Sequence, residues 1–115
     1  MKKIISSLIF LGISSLYADY SAHQYFYMDK DMNKCSNIIQ TSAKNLGFND
    51  ISIHSSSANS NDIFATLRGK KNNGYTFQFV CEGKKGFGYL IINGKNKRER
   101  NILKQSFAQE IYKQK

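Results

Sequence analysis

The sequence is poor in the residues that hold metal ions. It contains two histidines and two cysteines, each pair widely separated along the chain. A metal site requires Cys, His, Asp or Glu clustered at ligand spacing, and these residues do not provide that pattern. The glycine-rich run at 83–88 is neither a Walker loop nor a dinucleotide fingerprint, because it lacks the following Lys-Ser/Thr and the opening helix. We therefore expect no metal and no cofactor.

Groups suited to catalysis are also scarce. His54 stands beside the serines at 55–57, but adjacent residues in a strand point to opposite faces, and no nucleophile-elbow pattern is present. The carboxylates of Asp29 and Asp31 are explained as helix-start residues. The sequence thus favours a protein that is not an enzyme. An enzyme of unrecognised type that uses His54 is the third of our functional hypotheses.

Proline and tryptophan are absent, whereas Lys, Asn, Ile and Ser are plentiful. This bias is typical of AT-rich coding sequence, so the lysine count alone is weak support for a function. The hydrophobic fraction of 41% and the charged fraction of 22% exclude wholesale disorder. A length of 115 residues leaves room for a single domain.

The N-terminus has the three-part pattern of a secretory signal peptide. Lys2 and Lys3 precede an uncharged apolar stretch, and Ala18 followed by Asp19 is the predicted cleavage site. An uncleaved anchor and an ordinary buried helix are the alternatives. The stretch is shorter than the about 20 residues that a membrane-spanning helix needs, so we expect no transmembrane segment in the mature chain. Residues 1–18 are therefore predicted to be a signal peptide, and residues 19–115 the mature domain.

Cys35 and Cys81 are the only cysteines, and both lie in the predicted mature domain. In an oxidising compartment an even number of cysteines indicates disulfide bonding, and two cysteines allow one internal pairing. Two buried free thiols and an intermolecular bond are the alternatives. An extracytoplasmic location is predicted, with the periplasm favoured over full secretion.

Two segments have helical periodicity. Apolar residues from Met32 to Leu46 recur at steps of three and four, which predicts a helix over 31–46 that ends at Gly47. The second helix is predicted over 97–113, where Leu103, Phe107 and Ile111 share one face. Between the helices, turn chemistry separates short segments that alternate with period two. The predicted strands are 50–55, 62–68, 75–82 and 86–93, with 55–61 as a serine-rich loop and 20–28 as a possible extra N-terminal strand.

This order predicts an α+β domain: a helix, a four-stranded antiparallel meander and a second helix. In the strand at 75–82, Tyr75, Phe77, Phe79 and Cys81 share one face because side chains alternate. Cys35 lies on the apolar face of the first helix. A Cys35–Cys81 bond would therefore fix that helix to the aromatic face of the sheet.

Basic residues are the most suggestive surface feature. Removal of residues 1–18 leaves 15 basic and 8 acidic side chains, a net charge of +7. In a meander, the turn after the second strand and the end of the fourth strand lie at the same end of the sheet. The candidate anion- or partner-binding residues at that end are Arg68, Lys70, Lys71, Lys95, Lys97, Arg98 and Arg100. The alternative is a solvated, lysine-rich surface with no specific partner.

The leading hypothesis is an exported, non-enzymatic binding protein that engages a protein partner, as an inhibitor, an immunity protein or an envelope accessory does. A small stapled domain suits that use because rigidity lowers the ordering cost of binding. The second hypothesis is a binder of an anionic polymer or lipid, such as nucleic acid or acidic headgroups, through the basic patch.

Overall fold

The computed structural model describes residues 21–59 and 62–115. The predicted signal peptide and its cleavage site at Ala18 and Asp19 lie outside the described residues. The elements, in chain order, are β1 (Ser21–Tyr27), α1 (Met32–Asn45), β2 (Asn49–Asn59), β3 (Asp62–Lys70), β4 (Thr76–Glu82), β5 (Phe87–Asn93) and α2 (Lys97–Gln114).

Helix α1 begins and ends where its sequence signals predict. The Asp31 carboxylate accepts hydrogen bonds from the backbone N–H groups of Asn33 at 2.9 Å and Lys34 at 3.4 Å, which satisfies donors of the first turn. The helix ends before Gly47, whose φ of +86° is a conformation that glycine adopts without strain. The prediction of a helix over 31–46 is confirmed to within one residue at each end.

The sheet has five antiparallel strands in the order β1-β5-β4-β3-β2. The meander of β2 to β5 is confirmed, but the predicted count of four strands is one too few. The additional strand is β1, which pairs along β5 from Ser21 opposite Asn93 to Tyr27 opposite Phe87. Strand β5 is therefore an inner strand, and β1 and β2 form the edges of the sheet.

Strand β2 is longer than predicted. It runs to Asn59, through most of the segment that the serine content indicated as a loop. Its backbone pairs with β3, with Ser55 opposite Ala65. Backbone pairing to a neighbouring strand does not require apolar side chains, which is why the alternation of hydrophobic residues stops before the strand does.

Both helices pack on one face of the sheet and enclose the core. Phe77, Phe79 and Cys81 of β4 face the helices and are buried, as the predicted alternation requires. Helix α2 starts at the cap residue Asn96, whose side chain accepts a hydrogen bond from the N–H of Glu99. The core comprises Ala22, Phe26, Met28, Cys35, Ile39, Ala43, Phe48, Ala65, Leu67, Tyr75, Phe77, Phe79, Cys81, Leu90, Ile92, Phe107, Ala108 and Ile111.

A disulfide bond joins Cys35 of α1 to Cys81 of β4. This confirms the predicted pairing and excludes both two free thiols and an intermolecular bond. Both cysteines are buried in the core, so the bond lies between the helix layer and the sheet. A structural disulfide fits an extracytoplasmic compartment. Within the described ranges, neither helix combines the length and apolarity that crossing a bilayer requires.

Candidate interaction surface on the open sheet face

The helices cover one face of the sheet, and no helix or strand of residues 21–59 and 62–115 covers the other face, here called the open face. Because side chains alternate along a strand, each strand that contributes to the core also contributes to the open face. The open-face residues of the four strands β1, β5, β4 and β3 include Ser21, His23, Tyr25, Tyr27, Phe87, Tyr89, Ile91, Asn93, Thr76, Gln78, Val80, Glu82, Phe64, Thr66, Arg68 and Lys70.

One half of the open face is an aromatic cluster formed by His23, Tyr25, Tyr27, Phe87 and Tyr89. Strand pairing places Tyr25 opposite Tyr89 and Tyr27 opposite Phe87. The Tyr25 and Tyr89 rings are 4.5 Å apart between centroids, and His23 stacks on Tyr89 at 5.5 Å. Phe87 meets Tyr25 edge-on at 5.6 Å. The rings therefore support one another across β1 and β5.

The aromatic cluster is unusually accessible for its composition. Tyr25 is 67% exposed and Tyr27 is 82% exposed. A contiguous exposed patch of this kind marks an interaction site more often than isolated surface hydrophobics do. Tyr89 is more enclosed: its hydroxyl shares a hydrogen bond with Nδ1 of His23. Desolvation by this partial burial, with a smaller contribution from the nearby Tyr25, raises the pKa of Tyr89 above the usual tyrosine range.

The other half of the open face holds a polar hollow of about 530 Å³. Its walls include Asp50, Arg68, Lys70, Thr76, Gln78 and Asn93. The Lys70 ammonium group lies 3.5 Å from the Asp50 carboxylate. The Arg68 side chain is exposed and, among the described residues, forms no ion pair. The hollow therefore combines donor and acceptor side chains with the apolar Phe77, and it contains one guanidinium group without an ion pair among the described residues.

Two of the predicted basic-patch residues are packed against the fold and are not free at its surface. Arg100 is 2% exposed, and Nη1 of its guanidinium group donates a hydrogen bond to the Gly94 carbonyl oxygen at 2.7 Å. The Lys71 ammonium group donates to the Leu46 carbonyl and lies 5.4 Å from the centre of the Phe48 ring. Arg100 cannot contact a partner at the surface, and Lys71 is held against the end of α1.

The remaining predicted basic residues fall into two groups. Pairing of Lys70 with Thr76, and of Thr76 with Asn93, places the β3–β4 turn and the end of β5 at one end of the sheet. Arg68 and Lys70 lie on the open face at that end. Lys95, Lys97 and Arg98 are exposed around the start of α2, which packs on the opposite face. The predicted patch is thus divided by the sheet.

His54 does not form a catalytic arrangement with its neighbouring serine. It is exposed on β2 opposite Thr66, whereas Ser55 pairs with Ala65, whose side chain faces the core. The two side chains consequently point to opposite faces. In residues 21–59 and 62–115 there is also no group of three His, Cys, Asp or Glu side chains that could hold a metal ion.

Sequence reasoning identified 20–28 as a possible strand but did not place its aromatic residues beside Phe87 and Tyr89. The signal was available in part, since Phe87, Tyr89 and Ile91 alternate with core residues of β5. Local sequence patterns could not show that β1 pairs with β5. No protein-family model matches this chain, and no curated protein is significantly similar to it in sequence.

Proposed function

We propose that this chain is an exported, non-enzymatic binding protein that engages a protein partner through the open face of its sheet. The observation that carries the proposal is the aromatic cluster of β1 and β5, which lies outside the core and includes the two most exposed tyrosines of the sheet. Exposing such side chains contributes nothing to burial within the fold. Covering them in a complex would remove apolar area from water.

The composition of the open face matches the anatomy of protein interfaces. Interface centres are enriched in tyrosine, phenylalanine and arginine, and a polar rim surrounds them. Here the aromatic cluster lies beside Ile91 and Val80, while Thr76, Gln78 and Arg68 form the neighbouring polar half. The sheet places both halves on one rigid surface, so little ordering is needed on binding.

The ring geometry favours a protein over a single-stranded nucleic acid. Proteins that bind single strands offer free ring faces on which bases stack. Tyr89 has His23 on one neighbouring position and Tyr25 on the other, with interplanar angles of 24° and 32°. The Tyr89 ring is therefore flanked by two neighbouring rings and is less free to stack on a base than an isolated ring.

The distribution of charge also limits the alternative of an anionic polymer or lipid. Lys95, Lys97 and Arg98 form an exposed basic group at the start of α2, and this is the feature that supports the alternative. They are separated by the sheet from Arg68 and Lys70, and Lys70 already pairs with Asp50. Affinity for a polyanion grows with the number of phosphates neutralised at once, and the divided patch offers few.

The disulfide and the predicted signal peptide support an encounter outside the cytoplasm, and we favour the periplasm over full secretion. A small disulfide-bonded domain with one binding face suits the role of an inhibitor, an immunity protein or an envelope accessory protein. The basic net charge of the mature chain favours an acidic partner, because charge complementarity accelerates encounter.

The test is capture of partners by the oxidised mature domain, residues 19–115, from envelope and secreted fractions of the source cell. Wild-type protein is compared with a Tyr25→Ala/Tyr27→Ala variant. The matched control is Tyr112→Ala, which removes a 60% exposed tyrosine from α2. We expect one stoichiometric protein partner, retained by the control and lost by the double variant.

Three results would contradict the proposal. A partner that binds the double variant as well as the wild type would place the contact elsewhere. Capture of only nucleic acid or lipid, released as salt rises, would support the anionic-ligand alternative. Turnover of a substrate by the purified domain in a broad hydrolase screen, abolished by His54→Ala, would support an enzyme.

A further inference from the structure

The polar hollow on the open face lies close to the aromatic cluster. Strand pairing puts Arg68 opposite Gln78, and Gln78 opposite Ile91, so these residues form one row across the sheet. Neighbouring strands are about 4.8 Å apart, so about 10 Å separates Arg68 on β3 from the β5 residues of the row. A single interface of standard size, about 800 Å² on each partner, spans both features.

The hollow is rich in donors. Arg68 and Lys70 supply cationic N–H groups, Thr76 a hydroxyl, and Gln78 and Asn93 side-chain amides. An arginine guanidinium presents a planar pair of N–H groups that matches the two oxygens of a carboxylate. The hollow is therefore chemically suited to a small anionic group that accepts several hydrogen bonds.

The acidic residues of the open face are already engaged. Asp50 lies beside Lys70, and the Glu82 carboxylate accepts hydrogen bonds from the N–H groups of Lys84 at 3.0 Å and Lys85 at 3.2 Å. Within the described part of the chain, Arg68 is the cation of the hollow that forms no ion pair, whereas Lys85, which also forms none, lies beside the aromatic cluster. An unpaired guanidinium group can bind one anionic group of a partner.

From this we infer that the hollow receives the carboxylate of an Asp or Glu side chain presented by the protein partner, with Arg68 as its principal donor. The inference rests on the proposed function, since it specifies the chemistry of the partner at the same face. The partner surface would place its acidic side chain about 12 Å from the residues that cover Tyr89 and about 16 Å from those that cover Tyr25, which lie two and three strand spacings from Arg68. Arg68 is then the residue that determines specificity for an acidic partner.

A carboxylate fits better than the phosphates of a polymer. A nucleic-acid backbone carries a charge at every nucleotide and is held by several cations along its path. Among the described residues, the open-face cations without an ion pair are Arg68 in the hollow and Lys85 at the opposite end beside Glu82, so a polymer would meet no continuous row of free cations across the sheet. A protein supplies an isolated carboxylate with apolar surface next to it, which is the combination that the two halves of the face require.

The direct test uses the isotope-labelled, oxidised mature domain and two short peptides. One peptide alternates Glu and Ser, and its counterpart carries Gln in place of each Glu. We expect the Glu peptide to shift the amide resonances of Arg68, Thr76 and Gln78. Arg68→Ala should weaken the affinity about tenfold, and Arg68→Lys should recover part of it, because lysine keeps the charge but lacks the planar fork.

Arg98→Ala is the matched control, because it removes the same charge from α2 on the other side of the molecule. Affinity should be unchanged in this variant. Equal weakening by Arg68→Ala and Arg98→Ala would overturn the inference, since it would indicate general attraction to a cationic protein. Equal binding of the Gln peptide would overturn it as well, as would tighter binding of an oligothymidylate at the hollow, which would assign the site to phosphates.

The captured partner separates failure of this inference from failure of the proposed function. If Tyr25→Ala/Tyr27→Ala abolishes capture and Arg68→Ala leaves it intact, the open face is the interface but the carboxylate contact is refuted. If neither variant affects capture, the proposed function itself fails. Loss of capture in both, with Arg98→Ala unaffected, supports the two together.

Discussion

Tyr75 and Gly94 pack against one another where β5 passes into α2. The Tyr75 ring is buried over Gly94, and its hydroxyl accepts a hydrogen bond from the N–H of Asn96 at 3.1 Å. The side chain of Asn96 in turn caps α2. A single glycine without a Cβ thus allows one tyrosine to connect the end of the sheet to the start of the helix.

We expect Gly94→Ala to lower the free energy of unfolding by about 2–3 kcal/mol, because the added methyl group overpacks a buried contact. A Cβ at this position would overlap the Tyr75 ring, with Cζ only 2.8 Å away. Urea unfolding measures the change. Gly74→Ala is the comparison: it has open space around its Cβ but a φ of +87°, so we expect a cost of about 1 kcal/mol from backbone strain alone. An unchanged midpoint for Gly94→Ala would show that Tyr75 can move aside freely.

The burial of Arg100 shows that a charged residue type does not by itself indicate a surface position. Its charge suggested a surface contact, yet it lies at the spacing that continues the apolar face of Leu103, Phe107 and Ile111. Arginine has a long aliphatic chain that packs along apolar surface. In Arg100, Nη1 of the guanidinium group donates a hydrogen bond to the Gly94 carbonyl oxygen. Helical periodicity was the signal that could have located it, whereas charge alone could not.

The disulfide connects two elements that the sequence predicted well. Cys35 falls on the apolar face of α1, and Cys81 falls on the core face of β4, so periodicity in each element placed both sulfurs toward the same layer. The bond was predictable because each position followed from a local period. The strand β1 falls within 20–28, the possible extra strand of the sequence, but its pairing with β5 was not predictable in the same way, because it joins residues 72 positions apart, as in the Ser21–Asn93 hydrogen bond.

Replacement of both cysteines by alanine should lower the free energy of unfolding by about 4 kcal/mol, since the bond closes a loop with a sequence separation of 46 residues. Much of this effect arises in the unfolded chain, which the bond restricts. Denaturant unfolding of the oxidised wild type and the double variant gives the difference. Labelling the oxidised wild type with a thiol reagent in denaturant, without reductant, should leave its mass unchanged, because both cysteines are buried in the native fold and only unfolding would expose free thiols. A stability difference near zero would mean that the helix layer stays on the sheet without the covalent link.

One face of the sheet packs against the helices and forms the core, and the other is the open face for which we propose a partner. Helix bounds, the meander and the disulfide could be predicted because they follow from local periodicity and turn residues. The open face could be predicted only in outline: the alternation identified which residues leave the core, as with Gln78 between Phe77 and Phe79. The aromatic cluster and the hollow depend on which strands become neighbours, and the pairing of β1 with β5 is a property of the complete fold.

Two adjacent residues of β1 test whether the core face stabilises the fold and the open face binds the partner. Phe26 is 3% exposed and packs near Phe79 and Tyr112, so Phe26→Ala should cost about 3–5 kcal/mol of stability. Tyr25→Ala should cost about 1 kcal/mol or less, because its ring is largely in solvent and loses only its contacts with Tyr89 and Phe87. Partner capture should show the reverse order when both variants are assayed under conditions where they are folded. Circular dichroism through a urea titration measures the stabilities. If Tyr25→Ala proved as destabilising as Phe26→Ala, the aromatic cluster would belong to the folding core, and its exposure would no longer argue for a partner.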